Sequence, residues 1–127
     1  MIKQLLIVGI GGGAGSILRF AASLLTARYY SGSFPIATFA VNVSGCFLIG
    51  LIAGLAAGYF PQNANLRLLL ITGFCGGYTT FSTFAFENLN LLQYHNIWTA
   101  AIYIITSVLL GIGAVWLGLT AGTYLIK

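Results

Sequence analysis

Charge is what this chain lacks. Charged side chains make up 5% of its 127 residues, and the only acidic one is Glu87. That is too little polar surface to cover a water-soluble globule of this size, where about a quarter of residues are charged. The five cations, Lys3, Arg19, Arg28, Arg67 and Lys127, are scattered rather than gathered into a patch or run, which argues against nucleic-acid binding. Cysteine is scarce as well. Cys46 and Cys75 both fall inside apolar segments without metal-ligand spacing, with His95 as the one possible partner, and read as small buried residues. Both prolines, Pro35 and Pro61, sit in connections.

What is present is hydrocarbon: 59% hydrophobic residues and a mean hydropathy of +0.99. A bilayer core of ~30 Å needs ~20 apolar residues per span, so the length accommodates four helices joined by short turns. The predicted spans are 4–27, 36–59, 66–93 and 97–126. The loop from Arg28 to Pro35 and the break Phe60-Pro-Gln-Asn-Ala-Asn65 carry aromatic, Gly, Pro and polar turn signals, and Tyr94-His95-Asn96 forms the last turn. Trp98 and Tyr124 are placed for the two membrane interfaces. Lys3 ahead of an apolar run imitates a secretory signal, but Arg19 interrupts it and three further spans follow, so the first helix is read as retained. The expectation is an all-α membrane protein in one transmembrane domain. A bundle this thin would complete any polar pathway with a second copy.

The charge bias between the two sides is weak: with the termini and second loop on one side, Lys3, Arg67 and Lys127 oppose Arg28 and Arg19. Such a chain can insert in both orientations and pair as an antiparallel, dual-topology homodimer. Asn42, Cys46, Gly50, Gly54 and Gly58 recur every four residues along the second helix, and Gly11 and Gly15 repeat the spacing on the first, marking faces where backbones approach closely.

The third span reads Gly73-Phe-Cys-Gly-Gly-Tyr-Thr-Thr-Phe-Ser-Thr-Phe84 in its middle. Glycine lowers helix propensity, and non-helical backbone at membrane depth is tolerated only where it is buried in protein or lines a polar cavity, so a break near 75–80 is expected. Polar side chains, costly in lipid, gather at Thr38 and Asn42, at Thr79 to Thr83 (including Ser82 and Thr83), and at Tyr103, Thr106 and Ser107. Thr38 and Asn42 are four apart, as are Tyr103 and Ser107, so each pair lines one helix face. Two such donor tracks suit a desolvated anion, since hydroxyls and an amide replace its water without a fixed charge that would trap it. Phe81 and Phe84 project to one side, and their ring edges carry the positive part of the aromatic quadrupole. Arg19 and Glu87, the opposite charges embedded in spans, are read as interfacial anchors, a mutual ion pair, or, for Arg19, a means of concentrating anions at a vestibule.

On these residues the chain resembles the Fluc or CrcB fluoride channels over essentially its whole length. The resemblance is carried by Gly11-Gly-Gly-Ala-Gly-Ser-Ile-Leu-Arg19, by Thr38-Phe-Ala-Val-Asn-Val-Ser-Gly45, and above all by the Gly73–Phe84 segment followed by Glu87. It implies an antiparallel dimer in the bacterial plasma (inner) membrane, with two fluoride pathways and a central Na+ held by backbone carbonyls, here those of Gly76 and Thr79. It also implies that Phe81 and Phe84 contact fluoride beside Asn42, with Thr38, Tyr103 and Ser107 continuing the polar track. The fourth span departs from the family pattern at Gly111, where several members carry another hydroxyl. The implied activity is passive fluoride export conferring resistance, with no chemistry catalysed. The rival is a small proton-coupled multidrug exporter, which needs a titratable carboxylate in its cavity, usually on the first helix; the first helix here has none. A non-transporting scaffold would leave the hydroxyl tracks idle.

Overall fold

Backbone surrounded by lipid must satisfy its own hydrogen bonds, and a helix does so within one segment. In the computed structural model, which describes residues 1–59 and 63–127, the chain is all-helical, with no strand among the described residues. Four stretches are long and apolar enough to cross a membrane: Ile2–Tyr29, Ile36–Tyr59, Ala64–Gln93 and Ile97–Leu125. The unbroken first, second and fourth spans have 28, 24 and 29 residues. At ~1.5 Å per residue they run about 36–44 Å, enough to reach both headgroup regions. These three helices begin and end within about two residues of the expected 4–27, 36–59 and 97–126. Residues 60–62 of the expected second connection lie outside the described residues.

Local chemistry sets the turns. Phe39 N–H returns to the Pro35 carbonyl at 3.0 Å, so the second span starts directly after the proline. Between the third and fourth spans, His95 takes φ 60°, the left-handed conformation that reverses the chain, and Asn96 N–H closes on the Leu91 carbonyl at 2.8 Å. Trp98 and Tyr124, near opposite ends of the fourth span, are exposed, as interfacial anchors require.

The third span is interrupted, but not at its glycines. Ala64–Arg67 is α-helical, Leu68–Cys75 is wound as a π-helix, and Gly76–Tyr78 returns to α. Helical structure therefore passes through Gly73, Gly76 and Gly77. The break comes at Thr79 (φ −82°, ψ 161°) and Thr80 (φ −153°, ψ 120°), both extended, after which Phe81–Gln93 resumes as α-helix. The glycines serve packing instead. A methyl group on Gly73 would sit 3.0 Å from the Gly11 Cα, and one on Gly15 would sit 2.7 Å from the Tyr78 nitrogen, so first and third spans meet backbone to backbone.

The second and fourth spans pack by the same device, along the stripe the four-residue spacing predicts. Gly50 and Gly54 face the backbone of 115–123, and Gly118 and Gly122 face that of 47–55. Large side chains point mostly outward, as lipid permits. The buried apolar residues are few, among them Val41, Cys75, Leu91, Ala100 and Tyr103. Tyr103 anchors a cluster with Leu91, Ala100, Phe34, Phe39 and Phe84.

This packing predicts an asymmetric response to added methyl groups. Gly118→Ala would push a Cβ to 2.8 Å from the Leu51 nitrogen and into the Phe47 carbonyl, and should cost about 1–3 kcal/mol. Gly113→Ala meets nothing within 4 Å and should be neutral or stabilising by up to about 1 kcal/mol through helix propensity. Thermal loss of the monodisperse chromatographic peak in detergent distinguishes the two.

Candidate functional site

A break inside lipid needs a partner for each freed backbone group, and the second span supplies one. The Asn42 side chain accepts from Thr80 N–H through Oδ1 at 2.8 Å and donates from Nδ2 to the Thr80 carbonyl at 3.0 Å. One carboxamide thus pairs with the exposed backbone of one residue as a neighbouring strand would. Thr80 is itself buried, at 9% exposure, and its hydroxyl caps the following helix by accepting from Thr83 N–H at 3.2 Å. The same hydroxyl donates to Thr83 Oγ1 at 3.1 Å and lies 3.4 Å from Ser82 Oγ. On the other side of the break, Thr79 Oγ1 donates to the Cys75 carbonyl at 2.9 Å. Gly45 leaves the space that the Thr79 side chain occupies against the second span. Thr80 belongs to the hydroxyl cluster but had no marker of its own; a Thr three residues ahead of a second hydroxyl at a helix start is the capping signal that could have singled it out.

These elements enclose a cleft of about 540 Å³ lined by Asn42, Cys46, Cys75, Phe81, Phe84 and Ser107 among others. Phe81 and Phe84 are neighbours, ring centroids 5.8 Å apart and tilted by 42°. Phe84 is half-buried and leans edge-on against Tyr103 at 5.0 Å, whereas Phe81 is 79% exposed. The Ser107 hydroxyl is buried and has no hydrogen-bond partner among the described residues. Gly111, one turn further along, faces the Cys46 thiol, which lies 3.5 Å from where a Cβ would stand.

Thr38 and Tyr103, read from their spacing as members of two donor tracks, converge on a single acceptor. Thr38 donates to Glu87 Oε1 at 2.7 Å and Tyr103 to Glu87 Oε2 at 2.8 Å. Tyr103 is fully buried and Thr38 nearly so. Both carboxylate oxygens of Glu87 are therefore occupied by hydroxyls. Arg19 instead lines a second, more polar cleft of about 270 Å³ with Ser16, Ser23, Thr38, Thr80 and Thr83. The sequence-predicted residues thus fall into three groups: Asn42, Phe81, Phe84 and Ser107 on the large cleft, Arg19 and Thr83 on the polar one, and Thr38, Tyr103 and Glu87 in a hydrogen-bonded triad, Thr38 also bordering the polar cleft. Ser82 is exposed at the helix start between Phe81 and Thr83.

The carbonyls of Gly76 and Thr79 share a property. In a continuous helix, Thr80 N–H would bond to the Gly76 carbonyl and Thr83 N–H to that of Thr79. Here those two donors are given to Asn42 Oδ1 and Thr80 Oγ1. The Gly77 carbonyl, by contrast, accepts from Ser16 Oγ at 3.3 Å.

Removing the Asn42 carboxamide should leave a buried backbone N–H and carbonyl unpaired. Asn42→Ala is expected to lower stability by about 2–6 kcal/mol, at about 1–3 kcal/mol for each of the two orphaned groups. Asn42→Asp, which keeps the acceptor but sets a carboxylate oxygen against the Thr80 carbonyl, should not rescue it. Thermal unfolding of the two variants in detergent is the measurement.

The family pattern described as CrcB-like protein, Camphor Resistance (CrcB), matches residues 6–119. A protein of Azobacteroides pseudotrichonymphae named fluoride-specific ion channel FluC is 47% identical over 118 residues, 93% of this chain and 94% of the relative. One of the same name from Flavobacterium psychrophilum is 46% identical over 93% of this chain and 95% of the relative. Another from Allorhizobium ampelinum is 40% identical over 98% and 99%.

Proposed function

The chain belongs to the CrcB-like family, and from that premise we propose that it is a subunit of a fluoride-selective channel of the bacterial plasma (inner) membrane. The observation that carries the mechanism is the clamped break at Thr79–Thr80, which turns a hydrophobic span into two helix ends facing a lined cleft. The end of 76–78 presents carbonyls, and the start of Phe81–Gln93 presents the positive end of a helix dipole beside Phe81 and Thr83. An anion entering the large cleft exchanges water for donors. The second N–H of Asn42, not needed by Thr80, and the unpartnered Ser107 hydroxyl are both on that cleft, and Phe81 and Phe84 offer ring edges. Among the described residues no side-chain cation lines that cleft to trap the ion, while Arg19 in the polar cleft raises local anion concentration. Transport is passive and breaks no bond. A membrane potential contributes ~2.3 kcal/mol per charge at ~100 mV, which drives anions out of a negative cell. The first span carries no acidic side chain, so nothing favours the proton-coupled exporter.

The functional unit proposed is an antiparallel homodimer. Its support is the polar and cleft-lining surface that one subunit leaves exposed at membrane depth, with Thr72, Gly76, Phe81 and Ser82 all accessible. The Gly76 and Thr79 carbonyls, deprived of their helical donors, fit a hard cation, and in a dimer two from each subunit would hold the Na+. A Na+ held by these carbonyls would supply the positive charge that satisfies them.

Proteoliposomes loaded with fluoride decide the function: with a potassium ionophore present, an electrode should record fluoride efflux that chloride does not match, and its absence overturns the channel reading. Phe81→Ala together with Phe84→Ala should remove most of that flux, and wild-type flux would overturn the role of the ring edges. For the dimer, a terminal cysteine in a Cys46→Ser, Cys75→Ser background should be labelled by an impermeant maleimide from both sides of the cell membrane; labelling from one side alone rules out dual topology.

A further inference from the structure

The large cleft contains two free thiols that the anion pathway does not use. Cys46 comes from the second span and Cys75 from the third, and both line this cleft. They are joined through one set of contacts: Gly45, beside Cys46, receives the Thr79 side chain, and the Thr79 hydroxyl and N–H both bond to the Cys75 carbonyl. Cys46 reaches toward the bare backbone of Gly111 and so points along the fourth-span face that carries Ser107, whose hydroxyl is buried and unpartnered.

We propose that Cys46 and Cys75 form a two-thiol site in this cleft for a soft, linearly coordinating divalent cation of the Hg2+ class. Thiolate sulfur selects soft metals, and among the described residues no carboxylate or imidazole lines the cleft to favour a harder one. Charge selects the valence. Binding releases two protons, Hg2+ + 2 RSH giving Hg(SR)2 + 2 H+, and the product is neutral, whereas a monovalent cation with two thiolates would leave a net negative charge in an apolar cleft. The bridge ties the second span to the third beside Asn42, so its occupancy blocks passage through the cleft. That last consequence rests on the channel reading; the site itself does not.

Purified protein in detergent is titrated with HgCl2 while the ultraviolet sulfur-to-mercury charge-transfer band is followed. The expected result is saturation at one Hg2+ per chain, with both thiols becoming unreactive to a maleimide in the same step. Cys46→Ser and Cys75→Ser, each checked for wild-type elution and melting, should each weaken binding at least about ten-fold, with Cys46→Ala and Cys75→Ala as second variants where serine misfolds. Two equivalents titrating the thiols independently, or a single variant with wild-type affinity, would overturn the site. In proteoliposomes, Hg2+ should abolish fluoride efflux and dithiothreitol restore it, while the double serine variant keeps whatever flux it had before metal. If wild-type protein passes no fluoride, the charge-transfer titration still decides the site, so its failure and that of the channel reading are separable.

Discussion

The two hydrogen bonds between the Asn42 carboxamide and the backbone of Thr80 are what allow this protein to carry an open peptide inside a membrane. A polar backbone group stranded in hydrocarbon costs several kcal/mol, and a break exposes more than one. Asparagine suits the task because its side chain is a primary amide, with donor and acceptor held in one plane at short reach. Aspartate lacks the donor, and glutamine adds a methylene that would have to be accommodated between the second and third spans. The clamp replaces rungs of the helical ladder with one tertiary contact, and that substitution releases the Gly76 and Thr79 carbonyls from their usual donors.

The clamp works only if the second span lies close to the third, and here the glycines enter. Gly45 lets the Thr79 side chain sit against the second span, while Gly11, Gly15, Gly73 and Gly77 bring the first span onto the backbone of 69–78. Ser16 then reaches the Gly77 carbonyl. The second span is fixed in turn by its glycine contacts with the fourth. In lipid there is little hydrophobic driving force between helices, so such close backbone packing supplies much of the association energy. The glycines build the frame, and two threonines and an asparagine do the interrupting.

This division explains what could be read from the sequence and what could not. Spans follow from hydropathy and bilayer thickness, and the glycine stripes from a four-residue period, because both are local properties of one helix. The existence of a break near the third span's centre is legible for the same reason. Its position at Thr79–Thr80 is not, since glycine in a helix is weakly unfavourable rather than forbidden, and close contact with another backbone outweighs the propensity cost. The π-helical winding of Leu68–Cys75 leaves no mark in composition either. Periodicity correctly assigns Thr38 and Tyr103 to helix faces but says nothing about what those faces meet. Their partner, Glu87, is 49 residues from one and 16 from the other.

That partner changes the donor count along the proposed pathway. A hydroxyl has one proton to donate, and those of Thr38 and Tyr103 are both directed at Glu87. Neither can serve a passing anion without first releasing the carboxylate, and releasing it would leave an unpaired acceptor near a negative ion. In the arrangement seen here the hydroxyl and amide donors left free on the large cleft, among the described residues, are therefore the second N–H of Asn42 and the hydroxyls of Thr72 and Ser107. The two phenylalanines line the same cleft, and on the proposed pathway their ring edges would make up for some of the missing protons. A path with so few strong donors is one an anion can both enter and leave, because no single site replaces its full hydration shell. On the proposed pathway, what would admit a small, strongly hydrated ion is then the close spacing of weak partners rather than one strong site, and that spacing would depend on the break staying clamped.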